Sequence, residues 1–295
     1  MRRAGTILSD CGGRRGSAAR NVGRRIIGSR RGACVTAGDA VGRVTAGTLF
    51  ADTHLPLRLW FEALWHVTSQ KSGASALGLQ RVLGLGSYHT AWNLLHKLRR
   101  AMVRPGRERL QGIIEVDEIF IGGPRPGKRG RGAQGKVLVV VAAQQAAKGI
   151  GRIRLTRVAD ASTRSLEPAI TAAIEVGSQV RTDDWRGYGG LDRLGYRRQI
   201  VRASAEVGEN LLPLANRVAS LLKRWLLGTH QGAVSAEHLD YYLDEYTFRF
   251  NRRTSGSRGL LFLRLMQQAV DLSPVPAKEI LGGRQTSENQ PIDVT

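Results

Sequence analysis

The sequence predicts a mixed α/β protein in which a run of helices precedes a sheet-containing domain. Two observations carry that class. Apolar residues recur at helical spacing between Leu55 and Met102, and from Gly112 the pattern switches to alternating or continuous apolar segments of strand length. A third observation concerns partners. The 295 residues carry 45 Lys and Arg against 24 Asp and Glu, a formal charge of +21. So large a surplus points to a polyanion such as nucleic acid, because each neutralised phosphate releases a counterion.

Residues 1–43 hold ten Arg, two Asp and little periodic apolar content, and are expected to be disordered or poorly packed. The two cysteines, Cys11 and Cys34, make no disulfide framework and no obvious zinc site. No run of 18 apolar residues and no secretory h-region is present, so a cytoplasmic, membrane-free protein is expected.

Helices follow. Pro56 is a good first-turn residue, and Leu57, Phe61, Leu64 and Trp65 repeat at helical spacing until Gly73. A second helix spans Ala76 to Leu83 and stops at Gly84 and Gly86. A third runs from near Ser87 to Met102, ended by Pro105 and Gly106. Its apolar stripe is Ala91, Leu95, Leu98 and Met102; its opposite face carries Asn93, His96, Lys97 and Arg100. The pair has the form of a helix-turn-helix, with Tyr88, His89, Asn93, Lys97 and Arg100 as candidate DNA contacts. A plain helical bundle is the alternative.

Strands are expected at Ile113 to Ile121, Lys136 to Gln145 and Ile150 to Ala159, the last alternating Ile153, Leu155 and Val158 with Arg152, Arg154 and Arg157. Helix Thr163 to Val176 comes next, then short strands at Gln179 to Thr182 and Gln199 to Val201. Helices Pro213 to Leu227 and Ser235 to Asn251 complete the order. Short turns between the first three strands suggest an antiparallel meander, with helices between the later ones. From Ser273 the chain is polar and is expected to be disordered.

Three stretches hold residues capable of chemistry. Glu115, Asp117 and Glu118 sit inside an apolar strand, where a carboxylate needs a basic, backbone or metal partner. Alternation puts Glu115 and Asp117 on one face and Glu118 on the other; a buried ion pair with arginine is one reading and metal binding another. Asp183 and Asp184 end a strand, where one can cap and the other can project into a cleft. On the helix from Pro213, Asn216 and Lys223 lie two turns apart on one face beside Arg217 and Arg224; a solvated face is the alternative. The loop Pro124 to Lys136 adds Arg125, Lys128, Arg129 and Arg131 with four glycines and no acid, a composition suited to phosphate contacts or to a plain hairpin tip.

Taken together, VDEIFIGG (Val116 to Gly123), TDDWRGY (Thr182 to Tyr188), RVASLLKRWLLGTHQG (Arg217 to Gly232) and LDEYTFRFNRR (Leu243 to Arg253) resemble the DDE-superfamily transposases of bacterial insertion sequences. The resemblance covers about residues 44 to 270. It implies an RNase H-like, retroviral integrase-type catalytic domain over 109–272, preceded by a helical DNA-binding region over 44–108, with a tail over 273–295. The family's first two acids fall on Asp117 and Asp183, its third position on Asn216, where some members carry Asn or His, and its downstream basic residue on Lys223.

The implied chemistry is DNA phosphoryl transfer with two Mg²⁺ (or Mn²⁺) ions held by Asp117, Asp183 and Asn216, and with Lys223 on a phosphate. The implied reaction cuts terminal inverted repeats and joins them to target DNA, in a homodimer or higher oligomer associated with the nucleoid. A nuclease of the same fold and an inactive DNA-binding relative are the alternatives. Glu209 is a nearby acid whose spacing from Lys223 does not match. The family's N-terminal zinc ribbon has paired cysteines that this chain lacks, so zinc is not expected, and residues 1–43 read as a degenerate or frameshifted ribbon.

Overall fold

The computed structural model describes residues 45–104, 106–122, 136–201, 211–232 and 234–282. Helices α1 (Leu57–Ser69), α2 (Ala76–Leu83) and α3 (Tyr88–Ala101) come first. Strands β1 (Ile113–Ile121), β2 (Val137–Gln145) and β3 (Ile150–Val158) follow, then α4 (Thr163–Ala173), β4 (Gln179–Thr182) and β5 (Arg197–Ile200). Helices α5 (Pro213–His230), α6 (Leu239–Asn251), α7 (Arg258–Asp271) and α8 (Ala277–Leu281) end the described chain.

One five-stranded sheet has the order β3-β2-β1-β4-β5. β1, β2 and β3 form the expected antiparallel meander, whereas β4 and β5 run parallel to β1. The parallel pairings require crossovers, which α4 supplies between β3 and β4. Both faces of the sheet are covered. Ile119, Val139, Val141, Ile153 and Leu155 pack against α5 and α6, and Ile114, Val116, Val140, Ala142 and Val180 pack against α4. That double cover explains the unbroken apolar run of β2, since each of its faces is buried.

A second core joins α1, α2 and α3 to α7 and α8 through Trp60, Leu64, Leu79, Leu95, Leu98, Leu265 and Ile280. The sequence reading assigned no element to 252–272. Its helix, α7, buries Leu261, Leu265 and Ala269 at four-residue spacing, while Leu260 and Leu263 stay exposed and blur the stripe. Order also continues past Ser273, because Val275 and Ile280 are buried in the helical core.

The third helix differs from expectation on its polar side. His96 is fully buried rather than solvent-facing, its ring centroid 4.0 Å from the tilted Trp92 ring and edge-on to Tyr241 and Tyr242. It shares that side with Arg99, whose Nε donates to Glu245 Oε2 at 2.7 Å and whose guanidinium lies 4.1 Å over the Tyr242 ring. Arg249 Nε donates to the other Glu245 oxygen at 2.8 Å, and its remaining nitrogens donate to the Gln70 and Val67 carbonyls. Asn251, at the end of the same helix, accepts from the Ile153 N–H at 2.7 Å and donates to the Ile153 carbonyl at 3.1 Å. The Leu243 to Arg253 motif is thus a clamp, holding α1 and α3 by an ion triad and edge strand β3 by an amide.

Burial works against the Glu245 charge, but Arg249 and Arg99 outweigh it and hold the carboxyl down to about 2. Its folded-state value lies below its unfolded one, so its contribution is present above about pH 4.5 and lost as pH falls toward 2. Burial, then Arg99, holds His96 down to about 2 and His230 to about 4. The unfolded chain therefore takes up protons first, below about pH 6.5. Urea denaturation is expected to show stability falling from pH 7 to pH 5, with a shallower fall in His230→Gln. Glu245→Gln should lose about 3–5 kcal/mol at pH 7, because it strands the buried Arg99 and the half-buried Arg249. A flat pH profile, or a loss below about 1 kcal/mol, would contradict the triad's role.

Candidate active site

Strand β1 delivers three acids, and each has a different surrounding. Glu115 is 2% exposed. Its Oε2 accepts the backbone N–H groups of Leu214 at 2.7 Å and Ala215 at 3.1 Å, in the first turn of α5. The first N–H groups of a helix have no partner within it, and the helix dipole favours an anion there. Leu212, which precedes the helix, makes no side-chain cap; Glu115 caps the helix from another element. The ion pair with arginine that the sequence left open is replaced at Glu115 by backbone donors. Glu118, on the opposite face, accepts a hydrogen bond from the Tyr188 hydroxyl.

Asp117 stands two residues past Glu115 and on the same face of the strand. Its Oδ1 accepts from the Glu118 N–H at 2.9 Å. β4 pairs with β1 in parallel, with Glu115 opposite Arg181. Continued two residues past the last pair, that register would bring Asp183, just past β4, next to Asp117. A parallel register also puts both side chains on one face. Burial, then the charge and hydrogen bond of Glu118, and more weakly the charges of Asp117 and Asp183, push the ionisation of Tyr188 up, so the phenol stays protonated on Glu118.

The turn after β4 is fixed from several sides. Asp183 Oδ1 accepts from the Trp185 N–H at 3.1 Å, so Asp183 performs the local capping foreseen for one of the pair, while Asp184 is exposed. The Trp185 indole donates to the Ala161 carbonyl at 2.7 Å. Arg198 Nη2 donates to the carbonyls of Asp183 and Trp185 at 3.2 and 3.3 Å. Gly187 admits no side chain, since a Cβ there would lie 2.5 Å from the Ala161 carbonyl oxygen. Sequence reading missed Arg198 and the Tyr188–Glu118 pair; the only signal was the position of Tyr188 within the TDDWRGY stretch.

Asn216 follows Ala215 in the first turn of α5, next to the amides that Glu115 holds. Asn216, Arg217, Lys223 and Arg224 are all exposed, opposite the buried Ala215, Val218, Leu222 and Leu226. Among the described residues no group of three or more His, Cys, Asp or Glu is arranged to hold a metal ion. The candidate set is two carboxylates and an amide, all oxygen donors, which suits Mg²⁺ rather than a soft metal.

The other candidates are scattered. Tyr88 and His89 are exposed at the start of α3. Asn93 and Lys97 are half-buried, and Asn93 Oδ1 has no hydrogen-bond partner among the described residues. Arg100 is paired with Glu279 of α8. Arg125, Lys128, Arg129, Arg131 and Glu209 lie outside the described residues.

Glu115→Ala is expected to leave two first-turn N–H groups without their acceptor and to cost about 1–3 kcal/mol in urea denaturation. Amide exchange at Leu214 and Ala215 should accelerate relative to the rest of α5. Unchanged exchange at those two amides would show that the cap does not hold the helix.

No curated protein matches the chain. A solved structure to which it is similar is the cryoEM structure of the simian T-cell lymphotropic virus intasome in complex with PP2A regulatory subunit B56 gamma. The identity is 17%, the match covers 69% of this chain and 74% of that one, and the TM-score is 0.35, a loose likeness. Residues 109–251 match the family model of the ISXO2-like transposase domain, and those bounds enclose β1, β4, α5 and the whole of α6. The segment that carries Asp117, Asp183 and Asn216 is therefore a transposase domain of the ISXO2-like family, one of the insertion-sequence DDE transposases.

Proposed function

We propose that the chain is an insertion-sequence DNA transposase that cuts terminal inverted repeats and joins them to target DNA by metal-dependent phosphoryl transfer. The observation that carries this reading is the parallel pairing of β1 with β4, whose register, continued past Glu115 and Arg181, would bring Asp117 and Asp183 together, while Glu115 holds the first turn of the helix bearing Asn216. The strand order, with three antiparallel strands followed by two parallel ones and helices on both faces, supports an RNase H-like catalytic domain over 109–272. Residues 44–108 would then serve as its DNA-binding region.

Asp117, Asp183 and the Asn216 amide oxygen would hold Mg²⁺ or Mn²⁺, with Asp117 placed to serve two ions. When bound, such ions lower the pKa of an attacking water or 3′-hydroxyl and stabilise the departing oxygen. The protein's own residues position the reactants. Lys223, two turns from Asn216 on the exposed face of α5, offers a cation to a phosphate oxygen, and Arg217 and Arg224 flank it. Neutral Tyr188 keeps Glu118 hydrogen-bonded and so leaves Asp117 and Asp183 as the metal-facing acids. DNA ends and target DNA are the partners, and pairing two ends calls for a dimer or larger assembly. No helix among the described residues is long and apolar enough to cross a membrane; a place in the cytoplasm at the nucleoid fits a DNA substrate.

The test is Mg²⁺-dependent nicking of terminal-repeat DNA by the full chain. Asp117→Ala and Asp183→Ala are each expected to lower the rate by about 10³-fold or more, some 4 kcal/mol of transition-state stabilisation. Asn216→Asp should retain activity and tighten Mg²⁺ binding. Equal nicking by wild type and Asp117→Ala would leave DNA binding alone, and nicking without joining of pre-cut ends would leave a nuclease.

A further inference from the structure

A second basic feature lies outside the carboxylate site. A cleft of about 920 Å³ opens where the segment after α3, edge strand β3, the end of α6 and helix α7 meet. Arg104, Arg107, Arg152, Arg154, Arg252 and Arg264 line it, against two acids, Glu108 and Asp271. Glu108 is already paired with Arg152 at 2.9 Å.

Several of these arginines sit in surroundings that a cation tolerates poorly. Arg154 is 6% exposed and, among the described residues, donates to the neutral carbonyls of Ile153 and Glu108. Burial, then Arg107, Arg152 and Arg252, pushes it down to about 9. Arg252 Nε is buried with no hydrogen-bond partner among the described residues. Desolvated like charges in one cleft repel, and an anion seated there would relieve that repulsion.

The lining also selects among anions. Guanidinium groups match phosphate oxygens in a fork, and Gln267 and Gln268 add neutral donors. The aromatic liner, Phe248, is covered by the Arg252 guanidinium at 4.2 Å, so it offers no open face for a base to stack on. Arg104 and Arg264 are exposed, which extends the positive surface out of the cleft.

We propose that this arginine cleft, formed by the post-α3 segment, β3, α6 and α7, binds the backbone phosphates of duplex DNA, as a contact surface separate from α3 and from the basic face of α5. The identity of the polyanion rests on the transposase reading. Nothing in that reading assigned these arginines, apart from Arg252, which falls inside the LDEYTFRFNRR stretch without a role.

The test is duplex binding by the full chain, followed by fluorescence anisotropy in EDTA across a salt series. The probe is a short duplex of arbitrary sequence. For Arg104→Ala/Arg264→Ala the slope of log K against log salt is expected to fall by about 0.9 per lost phosphate contact, thus by about 1.8 in total. Affinity should drop about tenfold or more, and Arg104→Lys/Arg264→Lys should keep most of the wild-type slope. An unchanged slope in the alanine variant, or an equal loss in the lysine variant, would overturn the cleft assignment. So would inorganic tripolyphosphate raising the wild-type Tm while the alanine variant binds duplex as well as wild type, because the ligand would then be a small anion. The two readings fail separately. An unchanged slope with nicking intact would sink only the cleft, whereas loss of nicking with the salt effect intact would sink only catalysis.

Discussion

A carboxylate removed from water must find donors, and Glu115 finds two in the first turn of a helix that begins almost a hundred residues later. That contact joins the centre of the sheet to α5. It gives a buried carboxylate two amide donors and caps a helix that has no side-chain cap of its own. Asp117 lies two positions further along the strand and Asn216 one position further along the helix, so both inherit their placement from the same bond. The pairing of β1 with β4 supplies Asp183. The candidate chemistry needs all three at one place, and two constraints, the tie of Glu115 to α5 and the pairing of β1 with β4, would bring them there.

The rest of the molecule stiffens that arrangement. Helix α6 holds the Glu245 carboxylate between Arg99 and Arg249 and clamps the free edge of β3 through Asn251. Helix α5 is gripped at its far end as well. The Trp225 indole and Thr229 hydroxyl both donate to the Ser72 carbonyl. Gly73 is required there, because its φ of +99° and a Cβ placed 2.8 Å from Trp225 Nε1 exclude a side chain. α5 is therefore fixed at its N-terminus by the sheet and near its C-terminus by the turn after α1. Such double fixing matters for phosphoryl transfer, where catalysis is positioning and charge stabilisation.

Much of this was legible in the chain because strand and helix periods are local. The apolar run of β2, the alternation within β1 and the aspartates at 117 and 183 follow from neighbours within ten residues. The partners of buried polar groups are not local. Nothing near Glu115 announces the amides of Leu214 and Ala215, and nothing near His96 announces the rings and guanidinium that enclose it. A helix face rich in Asn, His, Lys and Arg reads as solvated until another helix is known to pack on it. Arg152 and Arg154 read likewise as the wet side of an alternating strand, whereas the structure turns them into a cleft. Helix α7 was missed for the converse reason, since two exposed leucines filled in the face that should have been polar.

The claim beneath all of this is spatial: Asp117, Asp183 and Asn216 form one oxygen-lined site beneath the amino end of α5. A crystal of the full chain soaked in Mn²⁺ and measured for anomalous scattering tests it directly. The account predicts manganese in contact with the carboxylates of Asp117 and Asp183, with the Asn216 amide oxygen turned toward it and Glu115 still on the Leu214 and Ala215 amides. Manganese bound elsewhere, or the two carboxyl groups more than about 10 Å apart when ligand distances near 2 Å are required, would contradict it.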